Sequence, residues 1–422
     1  MASTLPRSET HFGVNSLAVL CGLTTAYVTS LFASELTLLA RTACVIAGTV
    51  LPILLTDLLW RMPGREPSAG LTASRPVNAK RVAIKSIGMV ATLGIFALLY
   101  WLFPIYREPF YLPYWELLRW LLPAMLIATP FYFAWCDARL TSPEDGYYHL
   151  GCAVLMRRNL HIRPIGIHLR NWLVKAFFLP LMLVYLMQNI NMFAQLPHVD
   201  ASKPMQLYSG VNNLLYLIDL LFACTGYIMT LRIVNAHIRS SEPTMLGWVA
   251  AVACYTPFWS TLFYTQYFAY DNDGDFQRLL TDAPGLQWMI GVTVLILIAI
   301  YSSATIALGY RFSNLTYRGL VTNGPYRFCK HPAYVAKNIS WWLISLPFIA
   351  LDADTAIRNC LLLLGVNTLY FIRARTEERH LSNYPEYVAY AEAMNTHSIF
   401  APLTRLIPAL KYTKPTTPPR ID

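Results

Sequence analysis

The sequence predicts an all-α fold: a polytopic membrane helix bundle of about ten spans, with both termini cytoplasmic and a C-terminal helical hairpin. Three observations predict it. Of 422 residues, 55% are hydrophobic and only 13% charged, about half the charged share of a soluble domain. Apolar windows long enough to cross a bilayer core recur along the chain. Lys and Arg concentrate in alternate loops, as positive-inside orientation requires.

The windows fall at 13–33, 42–60, 84–105, 117–136, 171–190, 211–231, 245–264 and 286–308, followed by shorter ones at 338–350 and 356–372. The first reads as a span and not a cleaved leader, because its apolar stretch is too long. Leu351, Asp352, Ala353 and Asp354 separate the last two windows into a tight hairpin. With the N-terminus inside, 27 of the 33 Lys and Arg fall on the cytoplasmic side. The predicted outer loop 265–285 carries Asp271, Asp273, Asp275 and Asp282 against Arg278 alone. The formal charge of +10 is therefore a topology signal, and no nucleic-acid partner is expected. The chain divides into 1–309 (a membrane region of unassigned role), a core at 310–410 and a disordered tail at 411–422.

Several chemistries lack their residues. The eight cysteines form no CxxC pair and no metal spacing, so no metal site is expected. No GxGxxG, P-loop or GxSxG motif occurs. Asp271-Asn272-Asp273-Gly274-Asp275 has its glycine in the wrong place for a calcium loop and reads as a solvated acidic turn. Asp57, four residues before Arg61, is suited to pair with it; Asp219, mid-span, is a candidate for a polar pathway or a helix contact. The inner loop 137–170, with Tyr147, Tyr148, Val154 and Leu155 ahead of Arg157 and Arg158, reads as an amphipathic segment lying against anionic headgroups.

Polar chemistry concentrates after the eighth window. Gly324-Pro325 breaks the backbone and Pro332 starts a fresh helix, which collects Arg327, Lys330 and His331 at the mouth of the hairpin. Beyond its second helix come Arg373, Arg375, Glu377, Glu378, Arg379 and His380. A hairpin returns the chain to the same face, so the two clusters should meet at one depth. They read either as positive-inside anchors with paired glutamates, or as a polar site for a ligand bearing both ammonium and carboxylate groups.

Gly324-Pro325-Tyr326-Arg327 with Lys330-His331-Pro332-Ala333-Tyr334 resembles the first signature of the isoprenylcysteine carboxyl methyltransferases and their phospholipid-methylating relatives. The stretch from Arg373 through Arg375, Thr376, Glu377 and Glu378 to Tyr384, Glu386, Tyr387 and Tyr390, with Phe400-Ala401-Pro402 beyond, resembles the second. The resemblance covers about 310–405. It implies a membrane-embedded, S-adenosylmethionine-dependent methyltransferase with its active site facing the cytoplasm, the hairpin forming the cofactor site, and a lipid or lipid-linked substrate entering from the bilayer. It implies further that Tyr326, Arg327, Lys330, His331, Pro332 and Tyr334 line the cofactor pocket, that Glu377 and Glu378 hold polar groups of the cofactor, and that Arg373 positions the acceptor. Lys330 and Ala336 depart from the usual Arg and Gly. Lysine keeps the charge but loses the bidentate fork.

A carboxylate acceptor, the preferred reading, is already anionic and needs no base. An amine or hydroxyl would need one, and His331 or Glu378 would supply it. Prenylated cysteine, a phospholipid amine and a lipid-linked isoprenoid all fit. Two alternatives are an NADPH-dependent sterol-reductase-like enzyme, whose Asn and Asp-containing blocks are missing here, and a non-enzymatic lipid transporter or scaffold using Asp219.

Overall fold

The computed structural model describes residues 5–33, 35–156, 161–195, 200, 202–265, 267–271 and 274–416. It is an all-α polytopic bundle. The elements are α1 (Phe12–Phe32), α2 (Leu38–Thr56, extended by a π-turn at Asp57–Arg61), α3 (Ala79–Leu102), α4 (Leu112–Arg139), α5 (Gly146–Val154), α6 (Ile162–Phe193) and α7 (Pro204–Ile228). They continue with β1 (Ser240–Ser241), α8 (Met245–Val252), α9 (Phe276–Leu279), α10 (Pro284–Leu308), β2 (Thr316–Tyr317), α11 (Pro332–Ser345), α12 (Ala353–Leu381), α13 (Pro385–His397) and α14 (Ala401–Leu406).

Eight helices among the described residues are long and apolar enough to cross a membrane. The chain is an integral membrane protein. The windows 245–264 and 338–350 differ from the rest. The first is split into α8 and a π-helical stretch, Phe258–Tyr264. The chain nevertheless traverses the bundle there. Ser240 and Ser241 pair with Tyr317 and Thr316 where α10 exits, whereas Phe276 packs edge-on against Tyr208, near the start of α7 at the opposite end. The second window is the 14-residue α11, about 21 Å of helix against a hydrocarbon core of about 30 Å. It runs beside α10 and reaches α9.

α6 and α7 supply the centre, where Phe178, Leu181, Leu183, Leu186, Leu217 and Leu221 are buried. Surrounding helices meet lipid on their outer faces, so Leu59, Trp60, Trp120 and Phe131 stay exposed from the protein's own core. Local chemistry sets the helix starts: Asn78 accepts the Arg81 N–H at 3.0 Å, and Asp352 accepts that of Thr355 at 2.8 Å. α3 and α5 touch backbone to backbone. A Cβ on Gly88 would lie 1.9 Å from the Tyr147 carbonyl oxygen, and one on Gly151 2.0 Å from that of Ile84.

The terminal segments share one end of the bundle. Glu9 pairs with Arg239 and Arg311, each at 2.7 Å, and Leu5 packs with Leu320, Tyr387 and Tyr412. The expected disorder of the tail does not hold for 411–416. Tyr412 is buried, receives a hydrogen bond from Asn395 and makes one with Ser382; residues 417–422 lie outside the described residues. So do 157–160, which include Arg157 and Arg158, and Asn272 and Asp273 of the acidic turn. The remaining carboxylates of that turn serve local structure: Asp275 caps α9, and Asp271 accepts from the Tyr264 hydroxyl.

Candidate active site

Between β2 and α11 the chain forms a strap, and Arg318 anchors its beginning. Its guanidinium donates to the carbonyls of Ala236 (2.8 Å), Gly226 (2.7 Å), Phe312 (2.9 Å) and Met229 (3.0 Å). These include orphan acceptors at the α7 C-terminus. Burial lowers its pKa to about 9, which leaves it charged at neutral pH. Gly324 takes φ +55 with a buried side facing Phe12, so the turn into Pro325 requires glycine. Burial also raises the pKa of Tyr326 and Cys329 on the strap, keeping both protonated.

α12 runs unbroken from Ala353 to Leu381. Consecutive residues on a helix diverge by about 100°, so Glu377 and Glu378 face different neighbours. Glu378 is saturated: Lys330 lies at 2.6 Å, the His331 ring at 3.1 Å and Arg375 at 2.7 Å. Glu377 accepts the Tyr334 hydroxyl at 2.7 Å and has no cation within ion-pair distance among the described residues. Arg373 donates to Asn314 and lies over the rings of Tyr334 (5.0 Å), Tyr255 (5.4 Å) and Tyr370 (5.7 Å). It too has no ionic partner among the described residues. Arg373 and Glu378 therefore do not bridge each other, as their spacing on one continuous helix requires.

The strap separates two spaces. A polar cavity of about 90 Å³ is lined by Tyr326, Lys330, His331, Tyr334, Glu377 and Arg373. A neighbouring space of about 50 Å³ shares Tyr334, Arg373 and Glu377 and adds Glu242, whose pKa burial raises. On the other side lies a groove of about 930 Å³, lined mainly by apolar residues including Leu297, Ile300, Val335 and Ile339. Arg327 and Pro332 face this groove and not the polar cavity. Ala336 lines the groove as well, on the face of α11 buried against α10.

The sequence reading missed Tyr255, Tyr301, Asn314, Lys337 and Tyr370, all lining the polar cavity. Tyr370 and Lys337 had a signal, since each stands three residues from a named site residue on the same helix. Asn314 and Tyr255 had none. Asp219 acts through Tyr301: its carboxylate accepts from the Tyr301 hydroxyl and from Thr305 at 2.6 Å, fixing that ring in the cavity wall beneath Lys337. Asp57 pairs with Arg61 at 3.1 Å and accepts from Tyr310.

The strap, Asn314, Tyr334, Arg373, Glu377 and Glu378 lie in a segment that has a known counterpart, whereas Tyr255, Glu242 and Asp219 lie outside it. Residues 288–383 match the model of the isoprenylcysteine carboxyl methyltransferase (ICMT) family. No curated protein and no solved structure matches the chain. The ICMT match begins within α10 and ends just past α12, so it contains both motif blocks and leaves α13 and α14 outside. It supports a membrane-embedded methyltransferase.

Proposed function

We propose that the protein transfers a methyl group from S-adenosylmethionine to a lipid or lipid-linked carboxylate at the cytoplasmic face of the membrane. One observation carries the reading: within the ICMT-matching segment, a single cavity presents a carboxylate, Glu377, and a guanidinium, Arg373, neither with an ionic partner among the described residues. Arg373 is buried and Glu377 half-buried; charges withdrawn from water without an opposite charge are costly, and a ligand of complementary charge relieves that cost.

The residues fit the cofactor. Glu377, with no ionic partner among the described residues, suits its cationic groups. Small-molecule sites occupy about 300–1,000 Å³, so binding widens the polar cavity, and joining it to the neighbouring space across Tyr334 is the shortest route. When bound, S-adenosylmethionine would supply an electrophilic methyl group to the acceptor oxygen, the C–S electron pair staying on sulfur. Arg373 orients the acceptor carboxylate, which needs no base. Glu378, held by Lys330, His331 and Arg375, fixes the strap to α12 so that His331 and Tyr334 stay stacked on the cavity wall. The groove of about 930 Å³ suits the apolar chain of the substrate. Positioning and exclusion of water are the protein's main contributions, worth roughly 7–11 kcal/mol in well-oriented reactions. The cytoplasmic assignment follows from the 27 Lys and Arg that the span pattern places on that side.

The test is calorimetric titration of the detergent-purified protein with S-adenosylmethionine and with NADPH, followed by methyl transfer to a prenylated cysteine. Saturable binding of the first, and a base-labile methyl ester as product, are expected. Binding of NADPH alone would overturn the proposal.

A further inference from the structure

A second polar pocket lies far along the chain from the first, and it does not rest on the methyltransferase reading. It occupies about 530 Å³ between the C-terminal end of α4, α5, the first turns of α6 and the loop after α7, within the size range of small-molecule sites.

Its charges are incompletely matched. Lys175 lines it, with Thr230 Oγ1 at 3.4 Å and the Trp172 ring at 3.8 Å as its contacts, and no carboxylate within 4 Å among the described residues. Arg232 also lines it, spends one nitrogen on the Ala69 carbonyl at 3.1 Å, and has no ion-pair partner among the described residues. The carboxylate in the wall, Asp145, is occupied by the fully buried Lys85 at 2.9 Å.

Two buried polar atoms in the same wall lack hydrogen-bond partners among the described residues. His237 is 9% exposed, and its Nδ1 is unpaired; Asn171 Oδ1 is unpaired too. Such groups are rarely left unsatisfied in native proteins. The cations call for an anion, and the amide oxygen calls for a hydroxyl or amine donor on the same ligand.

Position selects the source of that anion. α5 begins at the pocket, which Gly146 and Tyr147 line, and its far end leads into Val154, Leu155 and Met156, which are 51%, 44% and 91% exposed. Apolar side chains so exposed on a short helix that starts at the pocket, together with the aromatic rings of Tyr132, Phe133 and Trp172 in the pocket wall, mark the depth where headgroups meet acyl chains.

We propose that this pocket binds the phosphate of an anionic lipid headgroup that also carries hydroxyl or amine donors, with Lys175 and Arg232 holding the phosphate and Asn171 accepting from the headgroup. The experiment titrates the full chain, in an uncharged detergent, with dioctanoyl phosphatidylglycerol, dioctanoylglycerol and inorganic phosphate. Saturable binding of the phosphatidylglycerol alone is expected. Lys175→Met should weaken it by about tenfold or more, the scale of a lost charge-assisted hydrogen bond, and Lys175→Arg should restore most of it. If Lys175→Met does not fold, Asn171→Asp, which sets a negative charge against the phosphate, should show the same loss. Equal binding of dioctanoylglycerol, or unchanged affinity in the folded variants, would overturn the proposal. Tight binding of inorganic phosphate without the lipid would overturn the lipid source.

Discussion

The two halves of the molecule handle buried charge differently. In the membrane region before α10, carboxylates are closed into local sets. Fully buried Asp137 accepts from Arg81 and from the Asn78 N–H, and Asp145 holds Lys85. In the C-terminal region Glu378 is closed in the same way, but its neighbour Glu377 and the nearby Arg373 open into a cavity without ionic partners among the described residues. Closed sets hold helices together; open groups are the ones that the proposed ligands would complete. The pocket around Lys175 is the exception within the first half, because it carries the open pattern of the second.

The comparison breaks most readily at its closed end. Asp137→Ala should cost about 2–3 kcal/mol, because it leaves the Asn78 N–H and the partly buried Arg81 guanidinium without their shared acceptor. Thermal melting in detergent should show the largest loss of any change considered. A variant that melts with the wild type would mean that closure is not what holds α3 to α4.

Next comes the split between neighbouring glutamates. Glu377→Gln should keep its melting temperature and lose about tenfold or more in S-adenosylmethionine affinity, whereas Glu378→Ala should lose both stability and affinity. Arg373→Ala should reduce turnover more than cofactor affinity. Exchanging the charges of Arg373 and Glu378 should rescue neither single variant, since each side chain has its own partners. A rescue with cofactor binding intact would show a hidden bridge.

A smaller effect concerns His237. Burial first, then Arg232, Arg239, Arg311 and Arg318, lower its pKa to about 2. The unfolded chain takes up a proton below about 6.5 that the folded state refuses. Stability should therefore fall as pH drops below about 6.5, by up to about 1.4 kcal/mol per pH unit for this group, and be unaffected above it. His237→Gln should flatten the melting-temperature profile between pH 7 and pH 5; an unchanged slope would assign the acid sensitivity elsewhere. The smallest change is Tyr412→Phe, which removes the hydroxyl contact with Ser382 and should cost about 1 kcal/mol. A null effect on melting would show that packing alone docks the tail.

Much of the C-terminal site was legible because its residues sit in two compact blocks joined by a hairpin, so local order in the chain becomes proximity in space. Tyr334 meeting Glu377 and His331 meeting Glu378 are consequences of that return. Asn314 and Tyr255 were not legible, since they reach Arg373 from a loop and from the interrupted crossing after α8. Likewise, Arg327 and Pro332 belong to the motif but turn toward the apolar groove, which depends on the twist of the strap and not on residue type.

The amino-acid sequence by itself determined the membrane bundle, eight long helices of the ten windows it offered, and the region that carries polar chemistry. Apolar length, charge asymmetry and motif order are properties of contiguous residues, and the bilayer enforces them directly. Only the tertiary structure decided which charges are closed and which are open. Pairing is a matter of a few ångströms between distant elements, so Glu377 and Glu378, adjacent and chemically alike, acquire opposite surroundings from the 100° that separates them on one helix.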